Sequence, residues 1–143
     1  MIEINVFNHT SRSLSVGAIK QLAGRIAKQV GFKNITLAVV FVRPRLSQAL
    51  NQHYRSRRKA ANILTFAYKS GRDAEADIII CFEELVQDAR KQNLDIHTYL
   101  AKLLVHGILH ARGFTHKTAK DLLSMERKER SIMKKGTQLL SII

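Results

Sequence analysis

Residues 103–116 read Leu-Leu-Val-His-Gly-Ile-Leu-His-Ala-Arg-Gly-Phe-Thr-His. On a helix, residues four apart lie on one face, so His106 and His110 can point at a common ion. Gly113 predicts the end of that helix, because glycine adopts positive φ without a Cβ penalty, and the turn can return His116 to the same point. Three imidazoles with a fourth position open are the ligand set of a catalytic zinc site. The stretch therefore predicts a metal bound by His106, His110 and His116.

Position 107 separates this pattern from that of the metzincin proteases, H-E-x-x-H-x-x-G-x-x-H. All the ligand positions of that pattern are filled, but Gly107 stands where the protease carries its general-base glutamate. Without that carboxylate the peptidase interpretation lacks a proton shuttle. The structural alternative, helix-face histidines satisfied by hydrogen bonds alone, is disfavoured by three histidines at this spacing around a glycine.

The charge of the chain indicates a polyanionic partner. Its 143 residues, enough for one domain, carry 24 Lys plus Arg against 11 Asp plus Glu, a net charge of +13. A nucleic acid is the simplest such partner, and its binding is then sensitive to salt. The single cysteine, Cys81, leaves no disulfide partner within the chain and suits a reducing cytoplasm. With no signal-peptide pattern and no apolar run of ~18 residues, the expectation is a cytoplasmic protein without a membrane segment.

Periodicity predicts a small α/β (α+β) domain. Apolar residues alternate or run together in strand-length segments, and elsewhere they recur at helical spacing. The predicted strands lie at 2–6, 35–42, 62–68 and 76–82, and the predicted helices at 15–31, after Pro44, at 83–92, from Asp95 and from Thr118. The order βαβαββααα indicates a four-stranded mixed sheet packed with about five helices. The strand at 35–42 is expected to be central and covered on both faces. The helix carrying His106 and His110 is apolar nearly all round and is expected to be buried at the centre.

A cationic run follows the second predicted helix. Arg55, Arg57, Arg58 and Lys59 lie just before the strand at 62–68. Such a run is usually a solvated loop, but a loop beside a sheet edge is also where an arginine that grips phosphate belongs.

Three stretches together resemble one family, the YbeY endoribonucleases, or ribosomal-RNA maturation factors. The family's motif H-G-x-L-H-x-x-G-[YF]-D-H is similar to residues 106–116. Its second motif, L-N-x-x-Y-R-x-K-D-x-P-T-D/N-V-L-S-F, resembles residues 50–66, and its G-D-I-x-I resembles residues 76–80. Met125-Glu126 falls where the family has a similar pair in its last helix. Gly107, which disfavours a protease, is the residue this family has there.

The chain also departs from these motifs. Arg57-Arg58 replaces the family's K-D, Ala60-Ala61 replaces P-T, Thr115 replaces the aspartate before the last histidine, and Ala76 replaces a glycine. The aspartate could have oriented a ligand, and losing such a partner can cost 10–100-fold in metal affinity or activity. The three histidines and Arg55 are intact.

The resemblance implies a single metal-dependent hydrolase domain over residues 1–143. It implies a zinc-dependent, single-strand-specific endoribonuclease acting in small-subunit ribosomal-RNA maturation and ribosome quality control, with ribosomal RNA and ribosome-associated proteins as partners. One Zn²⁺ per chain is expected, and nickel or another divalent ion also suits imidazole ligands. The catalytic residue is Arg55, which could hold the scissile phosphate bidentately, whereas Arg57, Arg58 and Lys59 attract the RNA backbone generally. The nucleophile is either a metal-activated water or the RNA's 2′-hydroxyl.

Two other functions stay open from the sequence. One is a non-catalytic, metal-containing protein that binds RNA or the ribosome. The other is a metal-dependent hydrolase of a different substrate, including peptides, which the absent glutamate and the +13 charge disfavour.

Overall fold

A computed structural model describes residues 1–55 and 62–135, apart from the Arg55 side chain. The elements follow the predicted order βαβαββααα. They are β1 (Ile2–Asn8), α1 (Val16–Val30), β2 (Asn34–Val42), α2 (Pro44–Arg55), β3 (Ile63–Lys69), β4 (Asp73–Cys81), α3 (Phe82–Lys91), α4 (Ile96–Arg112) and α5 (Ala119–Lys134). The predicted α+β class, with a four-stranded sheet and five helices in the described residues, is confirmed.

The sheet has the strand order β1-β2-β4-β3. β1 pairs with β2 and β2 with β4 in parallel, while β3 pairs with β4 antiparallel, so the sheet is mixed as predicted. The parallel pair β1 and β2 needs a crossover, which α1 supplies, whereas a short turn joins β3 to β4. Gly71 in that turn has φ 120° and donates its N–H to the carbonyl of Ala111 at 3.0 Å. This bond ties the β3–β4 turn to the last turn of α4.

β2 is central, but the expectation that both its faces are covered was wrong. Ile35, Leu37, Val39 and Phe41 are fully buried, while Thr36 between them is exposed. Thr36 stands in register with Glu3 of β1 and Glu75 of β4, both exposed. The strand reads as continuously apolar because alanine and valine follow Thr36 on its second face. This face is exposed at Thr36 and only partly covered at Ala38 and Val40.

α4 is the buried central helix that the sequence predicts. Leu100, Leu104 and Ile108 are fully buried, and the helix packs against α1, α3, α5, β3 and β4. Asp95 caps its start by accepting a hydrogen bond from the N–H of Thr98 at 3.2 Å. At its other end Gly113 adopts φ 112°, the left-handed conformation that the sequence predicts.

Gly107 marks the closest approach of α4 to the sheet. A Cβ at this position would lie 2.8 Å from Cδ1 of Ile78 and 3.1 Å from Oγ1 of Thr65. Since Ile78 is fully buried in a packed core, it has little room to move. Glycine costs a helix interior ~1 kcal/mol relative to alanine, and here the close packing of helix on sheet requires it. The same geometry leaves no space for a glutamate at position 107.

α5 begins at Thr118, whose hydroxyl accepts from the N–H of Asp121 at 3.1 Å. Met125 and Ile132 are buried, whereas Leu122 and Leu123 are 44% and 52% exposed. Both leucines therefore lie outside the buried side of this helix. Leu123 lies on the side of the helix opposite Met125, two residues away, as helical geometry requires.

Cys81 is a free, buried cysteine at the start of α3. Burial, the largest cause, raises the pKa of its thiol. It packs as a small apolar group, in agreement with the absence of a disulfide. None of the helices in residues 1–55 and 62–135 has the length and apolar character needed to cross a membrane.

Candidate metal centre

The three histidines singled out by the sequence converge. One ligand atom from each of His106, His110 and His116 lies within 4.8 Å of the other two. α4 supplies the first two rings one turn apart, and the turn at Gly113 returns the third. The structure thus brings together all three predicted ligands, two from one helix and one from the following loop.

The spacing of His106 and His110 fits a tetrahedral metal ion. With Zn–N bonds of 2.0–2.1 Å, two ligand nitrogens of a tetrahedral zinc lie about 3.3 Å apart. The Nε2 atoms of His106 and His110 are 3.1 Å apart. Two imidazole lone pairs facing each other at that distance repel, unless a proton or a cation lies between them. A shared divalent cation would remove this repulsion, and the ligand atom of His116, within 4.8 Å of the other two, lies near enough to approach the same ion.

Glu129 on α5 fixes the orientation of His106. Its Oε1 lies 2.6 Å from Nδ1 of His106, and its side chain is only 18% exposed. A carboxylate that accepts the Nδ1 proton leaves Nε2 unprotonated and directed at the other two rings. The outer nitrogen of a metal-binding histidine is usually held in this way.

Sequence reasoning missed Glu129, although a signal was present. Glu129 lies four residues after Met125 and three before Ile132, so it falls on the buried stripe of α5. An acid on a buried stripe needs a partner, because a desolvated carboxylate without one is costly. A search for acids at core-facing positions would have found it.

His110 is held in the form that binds metal. Burial, followed by the neighbouring His106 and His116 rings, lowers the pKa of His110 from its ordinary value. A lowered pKa favours the neutral imidazole at physiological pH, and the neutral ring is the metal ligand. The His110 ring also hydrogen-bonds the backbone of Phe114, which further fixes its orientation.

A second acid from α5 reaches the loop that carries His116. The hydroxyl of Thr115 donates to Oδ2 of Asp121 at 3.2 Å. Thr115 occupies the position where the resembling motif has aspartate, and here an acid from the first turn of α5 stands beside it. The loop next to His116 therefore still has a carboxylate within reach.

The three rings line an open cleft of about 750 Å³. Its walls are the edge strand β3, the loop at residues 113–115 and the end of α2. Tyr54 of α2 lines the cleft and is 60% exposed. Arg55 follows directly as the last residue of α2, but its side chain is not described. Arg57, Arg58 and Lys59 lie outside the described residues.

Fold and site together define a small α+β domain with a tri-histidine centre, able to hold a metal, in an open cleft. The chain matches the family model described as Endoribonuclease YbeY over residues 5–137, and it belongs to this family. This confirms the family that the sequence motifs resemble.

Curated relatives named endoribonuclease YbeY match part of the chain. It is 45% identical over 87 residues to that of Paracidovorax citrulli, covering 60% of this chain and 57% of the relative. It is 38% identical over 100 residues to that of Polynucleobacter asymbioticus, covering 69% and 64%. The matches thus span less than two thirds of the length of these relatives.

A solved structure shares the fold. The solution structure of TM1509 from Thermotoga maritima matches with a TM-score of 0.62 and 19% identity, covering 94% of this chain and 91% of that one. At this identity the match shows the common fold alone.

Replacing Glu129 with alanine is expected to weaken zinc binding by about 10–100-fold, because His106 loses the carboxylate that fixes its tautomer. The measurement is zinc affinity by competition with a chromophoric chelator. Glu129→Gln, which keeps an acceptor oxygen, is expected to recover part of the affinity.

Glu126→Ala is the matched control, since it removes a half-buried acid from the same helix. Thermal unfolding of the metal-free variants separates a positioning role from a stability role. Equal zinc affinities for Glu129→Ala and the wild type would show that Glu129 does not position the site.

Proposed function

We propose that this chain is a zinc-dependent, single-strand-specific endoribonuclease that acts in ribosomal-RNA maturation and ribosome quality control. The observation that carries this proposal is the convergence of His106, His110 and His116 in an open cleft of a chain belonging to the endoribonuclease YbeY family. Zinc suits three neutral imidazoles with a position left open, and nickel is the alternative that these ligands also accept.

The chemistry divides between the metal and the protein. A bound zinc ion lowers the pKa of water and polarises a phosphoryl oxygen. The Glu129 carboxylate holds the Nδ1 proton of His106, and burial keeps His110 neutral. Arg55 is proposed to hold the scissile phosphate with two parallel hydrogen bonds and to stabilise the charge that develops on it.

The specificity for single strands is supported by Tyr54. Tyr54 is 60% exposed and lines the cleft, and its ring centroid lies 4.9 Å from that of Phe66 and 4.6 Å from that of His53. Both contacts are edge-to-face, so two neighbouring rings fix the orientation of an exposed aromatic surface. An unpaired base can stack on such a surface, whereas a base inside a duplex is already stacked on its neighbours.

The choice of RNA as substrate is supported by charge and by resemblance. The net charge of +13 favours a polyanion. Ribosomal RNA and ribosome-associated proteins are proposed from the similarity of residues 50–66 and 106–116 to the motifs of ribosomal-RNA maturation factors. A cytoplasmic location is proposed because the single cysteine suits a reducing compartment.

The test is cleavage by the purified chain of one end-labelled RNA, offered single-stranded and annealed to its complement. Elemental analysis of the same protein measures its metal content. We expect zinc in the protein, cleavage of the single strand only, loss of cleavage with a chelator and recovery on adding zinc. Zinc binding without cleavage of either RNA would instead select a non-catalytic, metal-containing RNA-binding protein. Cleavage of peptides but not RNA would select a hydrolase of another substrate.

A further inference from the structure

One side of α5 carries cations at helical spacing. Residues 120, 124, 127, 131 and 134 recur at intervals of three and four, so they share one side of the helix. The cations on this side are Lys120, Arg127 and Lys134, and Lys128 lies beside it in the same groove. These four residues are here called the α5 stripe. Lys120, Arg127 and Lys134 are exposed, and Lys128 is half-buried.

The charge of the α5 stripe is not balanced locally. Of the three acids of α5, Asp121 accepts from Thr115 and Glu129 bonds to His106. Glu126, the third, pairs with none of the stripe cations among the described residues. In the part of the chain that the structure describes, no ion pair involves a stripe cation. The stripe therefore presents an uncompensated positive potential to the solvent.

The stripe borders a groove with apolar surface as well as charge. Phe114 and Leu123 line this groove of about 530 Å³ together with Lys120, Arg127 and Lys128. Leu123 is 52% exposed and so offers apolar surface beside these cations. Such a surface suits single-stranded nucleic acid, because cations can bind its phosphates and apolar side chains can contact its bases.

The groove is linked to the histidine cleft by shared lining residues. A smaller pocket of about 270 Å³ lies between them and shares Gly113, Phe114 and Thr115 with the cleft. It shares Phe114 and Ser124 with the groove beside the stripe. A nucleic-acid strand that extends from the three histidines over the loop at 113–115 therefore reaches Lys120 without crossing another helix or strand of the protein. Asp121 lies on this path, but its carboxylate accepts the Thr115 hydroxyl.

We propose that the α5 stripe binds the phosphate backbone of the same RNA strand that occupies the histidine cleft. This proposal rests on the proposed function, because it needs a single-stranded RNA in the cleft. From Lys120 to Lys134 the helix extends about 21 Å, long enough for several consecutive phosphates. The stripe contributes affinity for strands that extend beyond the cleft, and none for strands too short to leave it.

The test compares two triple variants with the same loss of charge. Lys120→Gln/Arg127→Gln/Lys128→Gln removes stripe cations, and Lys20→Gln/Lys28→Gln/Lys91→Gln removes exposed cations from α1 and α3. The probes are fluorescent 2′-O-methyl oligoribonucleotides of about 4 and about 16 nucleotides. Dissociation constants are measured by anisotropy over a series of salt concentrations, beside cleavage of a short unmodified RNA.

The stripe variant is expected to bind the long probe at least about 10-fold more weakly, with a salt slope smaller by about 2, since each single-strand phosphate contact contributes about 0.7. Its binding and cleavage of the short RNA are expected to match the wild type. The control variant is expected to lose less affinity for the long probe and little salt slope.

Equal losses in the two triple variants would overturn the proposal, since general charge would then explain the binding. Wild-type protein that binds both probe lengths equally well would also overturn it. So would anionic phosphatidylserine vesicles that bind through the stripe while RNA binding is unchanged, because the stripe would then face a lipid surface. Failure of the proposed function has a different readout: the wild-type protein would not cleave the short unmodified RNA.

Discussion

Replacing His110 with alanine is expected to lower zinc affinity by more than 100-fold and to reduce RNA cleavage to background. The loss should exceed the ~10–100-fold that follows from removing an outer hydrogen-bonding partner, because His110 belongs to the predicted ligand set itself. Its Nε2 lies 3.1 Å from that of His106, so its removal opens the centre of the cluster. The measurements are zinc content by elemental analysis and cleavage of single-stranded RNA.

His97→Ala is the matched control, because it removes another histidine from α4 that is not part of the cluster. It is expected to keep its zinc and its activity. Circular dichroism of both variants and of chelator-treated wild type shows whether the fold is kept without metal. Zinc at wild-type stoichiometry in His110→Ala would mean that the three rings do not form the metal site.

Replacing Arg55 with alanine is expected to reduce cleavage by about 10²–10³-fold, the cost of losing one donor that stabilises charge in a transition state. The zinc content is expected to stay unchanged, since arginine is not a ligand of the proposed site. Arg55→Lys is expected to recover little, because a lysine cannot form the two parallel hydrogen bonds of a guanidinium.

Arg45→Ala provides the comparison for this prediction. Arg45 is an exposed arginine in the first turn of α2, the helix that ends at Arg55. If Arg55→Ala cleaves as fast as Arg45→Ala, Arg55 has no part in the mechanism. A loss of zinc in Arg55→Ala would point to a structural role.

The convergence of the three histidines was predictable because local rules determine it. Helical spacing places His106 over His110, and the capping behaviour of Gly113 decides where the chain turns. Asp95 and Thr118 cap their helices as predicted, since a cap depends on residues within one turn. These features need no knowledge of the tertiary structure.

The features that were missed depend on contacts between distant parts of the chain. Glu129 meets His106 across 23 residues of sequence, and no local pattern connects them. The exposure of Thr36 on the second face of β2 is likewise not visible locally, since Glu3 and Glu75 flank it on the neighbouring strands. Gly107 shows the same limit. From the sequence, position 107 is notable only because it lacks the glutamate of the proteases. The fold shows that the helix there lies in close contact with Ile78 and Thr65.

The bond between Glu129 and His106 joins the last helix to the proposed metal site. α5 packs against α4, and this carboxylate is the link through which it orients a ring of the site. Binding of a metal and docking of α5 are therefore thermodynamically coupled. Metal binding makes the docking of α5 more favourable, and docking makes metal binding more favourable. In metal-free chains α5 should detach from α4 more often. Proteases that cleave locally opened chains would then degrade the metal-free protein faster than the metal-bound protein.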